Sequence, residues 1–123
     1  MASARPPLRT LLVEDEMVIA LLVEDLLTDL GHEVADTAAR LETALRLART
    51  NEYDLAILDI NLDGERSFAI AETLAERGVP TIFASGYGPA GLPEAFRATP
   101  VLQKPFTAHD LAQAIDSAIM CRR

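Results

Sequence analysis

The hydrophobic residues of this chain fall into short runs that alternate with segments of helical periodicity. The runs are rich in Leu, Ile and Val, which is typical of strands buried in a parallel sheet. The segments between them repeat apolar residues at helical spacing, which is typical of amphipathic helices. The predicted strands are residues 8–13, 32–37, 54–58, 79–84 and 100–102. The predicted helices are residues 17–30, 40–50, 67–77 and 107–120.

Glycine and proline mark several of the predicted boundaries. Gly31 and Gly78 each follow a predicted helix, at the position where a left-handed residue commonly ends one. Residues 86–93 contain three glycines and two prolines, which argues against a long regular helix there. We therefore expect a short or irregular fourth helix, with at best a helical piece over residues 93–96.

Strands that alternate with helices predict a parallel sheet covered by helices on both faces. Right-handed crossovers leave few arrangements of five such strands. The predicted fold is α/β, with a doubly wound five-stranded parallel sheet of order 2-1-3-4-5, which is the flavodoxin-like order. The second strand is the most polar and is predicted to lie at the edge of the sheet.

The first helix has more apolar residues than one buried face needs. Its predicted buried stripe comprises Val18, Leu22, Leu26 and Leu30. Met17 and Leu21 fall on or beside the polar side, close to the acidic turn before the helix. Either they pack under a loop or they form a docking patch for a partner.

Length and charge narrow the class of protein. With 123 residues, we expect one domain at residues 8–121, preceded by a loose leader at residues 1–7, with no output domain. The net charge of −8 makes direct binding of nucleic acid unfavourable. No apolar run is long enough to span a membrane. The lone cysteine, Cys121, suits a reducing cytosol.

Polar side chains stand where four of the predicted strands end. The first strand runs into Glu14 and Asp15, the third ends at Asp59, the fourth at Ser85, and the fifth is followed closely by Lys104. The carboxyl ends of parallel strands meet at one edge of the sheet, where ligands bind. Three carboxylates, a hydroxyl and an ammonium are therefore expected to converge there.

Three carboxylates in one cleft repel each other unless a cation is present. Mg²⁺ prefers oxygen ligands and keeps several waters. We expect Asp15 and Asp59 to bind it directly, Glu14 through water, and Asn61 through its backbone carbonyl. Lys104 is the only lysine in the chain, and its compact ammonium suits one small anion.

These residues, in this order, resemble the receiver domain of bacterial two-component response regulators. The resemblance rests on the acidic pair Glu14-Asp15, on Asp59, on Ser85 and on Lys104-Pro105. Each motif alone is weak, but all four at strand ends are specific. The similarity covers nearly the whole chain, roughly residues 8–121.

The resemblance implies a phosphorylation switch. Asp59 would accept a phosphoryl group from a sensor histidine kinase, a histidine phosphotransfer protein or a small phosphodonor. Mg²⁺ and Lys104 would offset the charge of the phosphoryl oxygens, and Ser85 would donate a hydrogen bond to the phosphorylated aspartate. Such a protein is cytoplasmic, dephosphorylates itself slowly, is not a turnover enzyme, and acts through protein contacts rather than on nucleic acid or membrane.

Two departures from the usual receiver pattern concern its switch. Receivers usually carry an aromatic residue on the fifth strand, where this chain has Val101. The segment Phe83-Ala84-Ser85-Gly86-Tyr87 resembles the "FAT GUY" motif of single-domain receivers, with Ser in place of Thr. We therefore expect Ser85 and Tyr87 to act as switch residues. We also expect residues 86–93 to be mobile before phosphorylation.

Three alternative interpretations remain open. Asp59 could merely cap the turn before Asn61. A phosphatase of the haloacid dehalogenase type also uses an aspartate after a strand, but it has an acid two residues later, where this chain has Asn61. A receiver-like protein could also bind partners without phosphorylation, although the complete set of acids, hydroxyl and lysine argues against it.

Overall fold

The computed structural model of the protein describes residues 6–86 and 92–120. Its strands are β1 (Arg9–Val13), β2 (Glu33–Ala38), β3 (Leu55–Asp59), β4 (Asn61–Leu62), β5 (Glu65–Arg66), β6 (Thr81–Ser85) and β7 (Val101–Gln103). Its α-helices are α1 (Met17–Asp29), α2 (Leu41–Thr50), α3 (Phe68–Glu76) and α4 (Ala108–Met120), and a 3₁₀ turn spans Glu94–Phe96. The expected short helical piece before the last strand is this 3₁₀ turn.

The main sheet is parallel, and its five strands have the order β2-β1-β3-β6-β7. Apart from the short strands β4 and β5, this is the predicted order 2-1-3-4-5, and the predicted doubly wound α/β class is confirmed. The polar strand β2 lies at an edge, as predicted. All five residues of the central strand β3 are buried, so Asp59 lies at the middle of the sheet's carboxyl edge.

Alternate residues of the central strands divide the core into two layers. In β3, Ala56 and Leu58 face the layer that contains α2 and α3. Leu55 and Ile57 face the opposite layer, with α1 and α4. Each fully buried Leu or Ile contributes about 1.5–3 kcal/mol. Because both faces of β3 are buried in this way, the strand is a rigid support for the residue at its end.

Local signals set several helix ends. Gly31 and Gly78 have φ angles of 91° and 75°, and in both cases the next amide bonds back to a carbonyl of the last helical turn. At α4, the amide of Thr107 donates to Asp110 Oδ2 at 3.0 Å, and the amide of Asp110 donates to Thr107 Oγ1 at 3.1 Å. This reciprocal pair is a capping box.

The predicted buried stripe of α1 is wrong at two positions. Val18 and Leu22 are 80% and 52% exposed, and the fully buried residues of α1 are instead Ala20, Val23 and Leu27. This helix is apolar on several sides, so its sequence is compatible with more than one buried stripe. The sheet covers only one of these stripes. Leu26 and Leu30 are partly buried against the core, as the prediction required.

A β-hairpin follows β3 over residues 61–66. Strand β4 pairs with β5 in antiparallel orientation, and Asp63 and Gly64 form the connection. Both have positive φ angles, 50° and 90°, as a two-residue type I′ turn requires. The chain therefore folds back on itself directly after Asp59.

Several predictions fall on residues outside the described ranges, namely those for residues 1–5, for Tyr87 and most of the 86–93 segment, and for Cys121. No helix in residues 6–86 and 92–120 is long and apolar enough to cross a membrane.

Candidate functional site

The carboxyl edge of the parallel sheet gathers acidic, hydroxyl and amino groups. β1 runs into Glu14 and Asp15, β3 ends at Asp59, β6 ends at Ser85, and Lys104 directly follows β7. All of them except Glu14 line one open cleft of about 890 Å³, and Glu14 lies beneath it in contact with Lys104. The structure thus brings together the residues that were predicted to converge because they stand at strand ends.

Lys104 joins two of the three carboxylates. Its Nζ lies 2.9 Å from Glu14 Oε1 and 3.2 Å from Asp59 Oδ2. The lysine side chain is only 16% exposed, so solvent screens these contacts weakly. The backbone amide of Lys104 donates to the Ser85 carbonyl at 2.8 Å, and the Lys104–Pro105 peptide bond is cis. The ammonium is therefore held directly beside the Asp59 carboxylate.

Burial shifts the ionisation of all three groups. It raises the pKa of Glu14 to about 7, because the hydrogen bond from Lys104 offsets only part of the lost hydration. Burial also raises the pKa of Asp59, against the opposing charge of Lys104. Burial lowers the pKa of Lys104, but its contacts with Glu14 and Asp59 outweigh this effect, so the pKa lies above its ordinary value. One lysine thus incompletely neutralises the buried acids.

The acidic residues form a candidate cation site. Oxygen atoms of Glu14, Asp15 and Asp59 all lie within 4.8 Å of one another. A set of carboxylate oxygens fits a hard cation such as Mg²⁺. Both oxygens of Glu14 already have protein partners, Lys104 at Oε1 and the Glu16 amide at Oε2. We therefore keep the expectation that Glu14 acts through water, and direct binding by Asp15 and Asp59 stays a prediction.

Asn61 lines the cleft at the start of β4. It pairs with Arg66 across the hairpin, and the next pair outward is joined by the bond from the Ser67 amide to the Ile60 carbonyl. Hydrogen-bonded and non-bonded pairs alternate in an antiparallel ladder. The ladder therefore does not use the Asn61 carbonyl, which suits its predicted role as a cation ligand.

Sequence reasoning missed Arg66, which also lines the cleft. The signal for its position was present in the sequence. Asp63-Gly64 is a strong two-residue hairpin signal, and the hairpin returns the chain so that Arg66 faces Asn61.

Ser85 lies one residue beyond Ala84, the register partner of Asp59 in the sheet. Its side chain is buried, with 6% exposure. The strand register thus places Ser85 next to the strand end that carries Asp59, and both residues line the cleft. Tyr87, the other predicted switch residue, lies outside the described residues.

Val101, which stands where receivers usually have an aromatic residue, is half-buried and packs against the layer of α2 and α3. The aromatic residues of that layer come from other elements. The rings of Phe68, Phe83 and Phe96 lie 5.6–6.1 Å apart between centroids. This cluster connects β6, α3 and the 3₁₀ turn, and the sequence did not reveal it.

Comparisons with known proteins agree with this geometry. The sequence profile of the response regulator receiver domain matches residues 10–116. Transcriptional regulatory protein PdtaR of Mycobacterium tuberculosis is 30% identical over 122 residues, covering 96% of this chain and 60% of PdtaR. This chain therefore spans less than two thirds of that relative's length.

Two solved structures share the fold over nearly the whole chain. SdrG from Sphingomonas melonis Fr1 is 39% identical, has a TM-score of 0.83, and the match covers 92% of this chain and 97% of SdrG. The PhyR response regulator REC domain of Erythrobacter litoralis is 29% identical, has a TM-score of 0.81, and the match covers 98% and 96% of the two chains. With its sheet order, its edge of acids and lysine and these similarities, the chain belongs to the response regulator receiver domain family, whose members act in phosphorylation-dependent two-component signalling.

Proposed function

We propose that this chain is a phosphorylation switch that accepts a phosphoryl group on Asp59. The observation that carries this proposal is the contact of Lys104 Nζ with Asp59 Oδ2 at 3.2 Å, inside a cleft that Asp15 also lines. An ammonium held beside a carboxylate at a sheet edge is suited to bind the oxygens of a group transferred to that carboxylate.

The proposed reaction is in-line displacement at phosphorus. An Asp59 oxygen attacks the phosphorus of a phosphohistidine, and the phosphorus–nitrogen bond breaks, so that the imidazole leaves with the electron pair. Lys104 then exchanges one of its carboxylate contacts for a phosphoryl oxygen. Ser85 follows the register partner of Asp59. Its hydroxyl donates a hydrogen bond to a second phosphoryl oxygen.

Receiver domains generally bind Mg²⁺ in an acidic pocket, and Glu14, Asp15 and Asp59 form such a pocket here. We infer that Asp15, Asp59 and the Asn61 carbonyl hold the ion directly and that Glu14 orients one of its waters. When bound, Mg²⁺ supplies positive charge that offsets the charge of the phosphoryl oxygens. Burial raises the pKa values of the Glu14 and Asp59 carboxyls. A bound cation would favour their ionised forms and so offset this effect.

The surroundings of Asp59 favour a switch over a turnover enzyme. A phosphatase of the haloacid dehalogenase type needs an acid two residues after its nucleophile. That place is held by Asn61, whose side-chain oxygen accepts a hydrogen bond from the Gly64 amide. An amide engaged in a turn is no general acid or base, so we expect hydrolysis of the acyl phosphate to be slow.

Receiver domains interact with histidine kinases or phosphotransfer proteins, and the first turns of α1 offer a surface for such a partner. Met17, Val18, Leu21 and Leu22, here called the α1 patch, are 52–80% exposed. The patch follows directly after the acidic residues that border the cleft. We infer that it binds an apolar helical face beside the donor histidine. Both classes of donor present their phosphohistidine in the cytoplasm, where we place this chain.

Labelling with a phosphodonor tests the proposal. The wild-type protein, incubated with Mg²⁺ and acetyl phosphate or a phosphorylated histidine kinase, should gain one phosphoryl group that alkali removes, and a chelator should prevent this. Lys104→Gln should slow labelling strongly, whereas Arg97→Gln, which removes a cation outside the cleft, should label normally. A protein that never takes up phosphate from either donor would instead be a partner-binding module that works without phosphorylation.

A further inference from the structure

The turn of the β4–β5 hairpin contacts two residues of the proposed cation site. The amide of Asp63 donates to Asp15 Oδ2 at 3.0 Å, and the next amide, that of Gly64, donates to Asn61 Oδ1 at 3.0 Å. Asp15 and Asp63 are 48 positions apart, so the first bond is a tertiary contact. We propose that this turn positions the Asp15 carboxylate for divalent cation binding, an inference that rests on the proposed function.

The bond from the Asp63 amide to Asp15 is strong enough to hold the carboxylate in place. A hydrogen bond from an amide to an ionised carboxylate is shorter and stronger than one between neutral groups. With one oxygen held by Asp63, the carboxylate cannot rotate freely, and Asp15 keeps an oxygen within 4.8 Å of those of Glu14 and Asp59. A ligand oriented beforehand loses less conformational freedom on binding. The bond therefore raises the cation affinity of the site.

The backbone of the turn directs these two amides. Asp63 and Gly64 have φ angles of 50° and 90°, which most L-residues rarely adopt. Nothing lies within 4 Å of a Cβ built on Gly64, so a side chain there meets no obstacle. Only the backbone conformation restricts that position, and a substitution there tests the turn without a steric clash.

The hairpin depends on the site as much as the site depends on the hairpin. A two-stranded hairpin is marginally stable alone, and this one is anchored in the core through Leu62, which is 1% exposed. Coupling between two sites is reciprocal. If the turn raises the affinity of Asp15 for a cation, then the bound cation must stabilise the turn by the same free energy.

Calorimetric titration of Mg²⁺ into the unphosphorylated protein measures the first half of this coupling. Asp63→Pro removes the donor amide and is incompatible with a φ of 50°, and we expect it to weaken Mg²⁺ binding about tenfold. Gly64→Ala keeps the amide but strains the turn, and we expect a weakening of roughly threefold. Asp63→Asn keeps both the amide and the tolerance for positive φ and removes only a negative charge that lines the cleft, so it should weaken Mg²⁺ binding clearly less than Asp63→Pro does.

Gly78→Ala is the matched control. Gly78 also has a positive φ angle, 75°, with nothing within 4 Å of an added Cβ, but it follows α3 rather than lying in the hairpin. The Gly78→Ala variant imposes similar backbone strain outside the site. It should therefore lower the melting temperature and leave the Mg²⁺ affinity unchanged. If Gly64→Ala and Asp63→Pro bind Mg²⁺ as tightly as Gly78→Ala, or more tightly than the wild type, the positioning role is wrong.

Amide hydrogen exchange measures the second half. Mg²⁺ should slow exchange of the Asp63 and Gly64 amides in the wild-type protein, and this protection should disappear in Asp15→Asn. Protection that persists in Asp15→Asn would overturn the proposed contact, even if the site still binds the ion. A wild-type protein that binds no Mg²⁺ would overturn the cation site and this inference together, whereas failure of the variants alone leaves the proposed function intact.

Discussion

Lys104 determines the charge balance of the cleft, because its ammonium is shared between Glu14 and Asp59. One ammonium contacts two buried acids, and burial raises the pKa of both carboxyls. At the scale of single residues, the site is therefore strained in the absence of a cation. Removing one acid should relieve part of that strain.

Asp59→Asn is the variant that separates function from stability. The amide is nearly isosteric with the carboxylate, so the fold should persist, but it cannot accept a phosphoryl group. Labelling should vanish, while the free energy of unfolding measured with a chelator at neutral pH should rise, because burial raises the pKa of the Asp59 carboxyl and the amide carries no charge to desolvate. Labelling at the wild-type level would show that another residue is the acceptor.

Ser67→Ala tests a buried hydroxyl. Ser67 Oγ is fully buried and has no hydrogen-bond partner among the described residues, and although Ser67 precedes α3 it does not cap the helix through its side chain. A buried polar group without a partner costs about 1–3 kcal/mol. We expect the alanine variant to be more stable to chemical denaturation by roughly 1 kcal/mol. A loss of stability would reveal a partner for this hydroxyl.

At the scale of elements, α1 has two apolar faces with different roles. One face packs on the sheet through Ala20, Val23 and Leu27. The other begins with the α1 patch and remains exposed beside the acidic cleft. An exposed apolar surface of this kind is typical of a binding site, and its place directly after the cleft-lining Asp15 and Glu16 suits the phosphodonor partner that we propose.

The α1 patch can be tested by comparing two phosphodonors. Met17→Gln combined with Leu21→Gln should slow transfer from a phosphohistidine protein at least about fivefold, since interface residues that matter cost 1 kcal/mol or more when truncated. Labelling by acetyl phosphate should not change. The control is Met120→Gln, a residue that is 81% exposed at the far end of α4. Equal slowing with both donors would mean that the variant damages the cleft rather than docking.

At the scale of the whole molecule, the buried acid Glu14 couples folding to pH. Its pKa rises from 4.5 in the unfolded chain to about 7 in the folded protein. Between these values the folded protein holds a proton that the unfolded chain releases, so stability falls as pH rises through this window. The raised pKa of Asp59 has the same effect as that of Glu14, because it also lowers stability as the pH rises.

Without divalent metal, the free energy of unfolding should therefore be lower at pH 8 than at pH 5 by roughly 2–3 kcal/mol. Glu14→Gln, which cannot ionise, should flatten this dependence, and Mg²⁺ should restore stability at the higher pH. Glu72→Gln, which removes an exposed acid of α3, is the control. Chemical denaturation across this pH range measures the effect, and an identical slope in Glu14→Gln would contradict it.

The sequence by itself determined the class of fold and the location of the site. Apolar runs that alternate with helical segments leave few parallel topologies, and in each of them the residues after β1, β3, β6 and β7 share one edge. The sequence alone therefore groups Glu14, Asp15, Asp59, Ser85 and Lys104. Gly31 and Gly78 marked helix ends for an equally local reason, since a positive φ angle is a property of one residue.

Only the tertiary structure decided which of several possible contacts form. The buried face of α1 depends on the sheet that covers it. Because this helix is apolar on more than one side, its sequence did not show that Val18 and Leu22 are exposed. Lys104 meets Glu14 across 90 positions of chain, and the Asp63 amide meets Asp15 across 48. Such bonds depend on the placement of whole elements to within about an ångström, because hydrogen bonds weaken steeply with geometry. Periodicity and spacing carry no information at that precision.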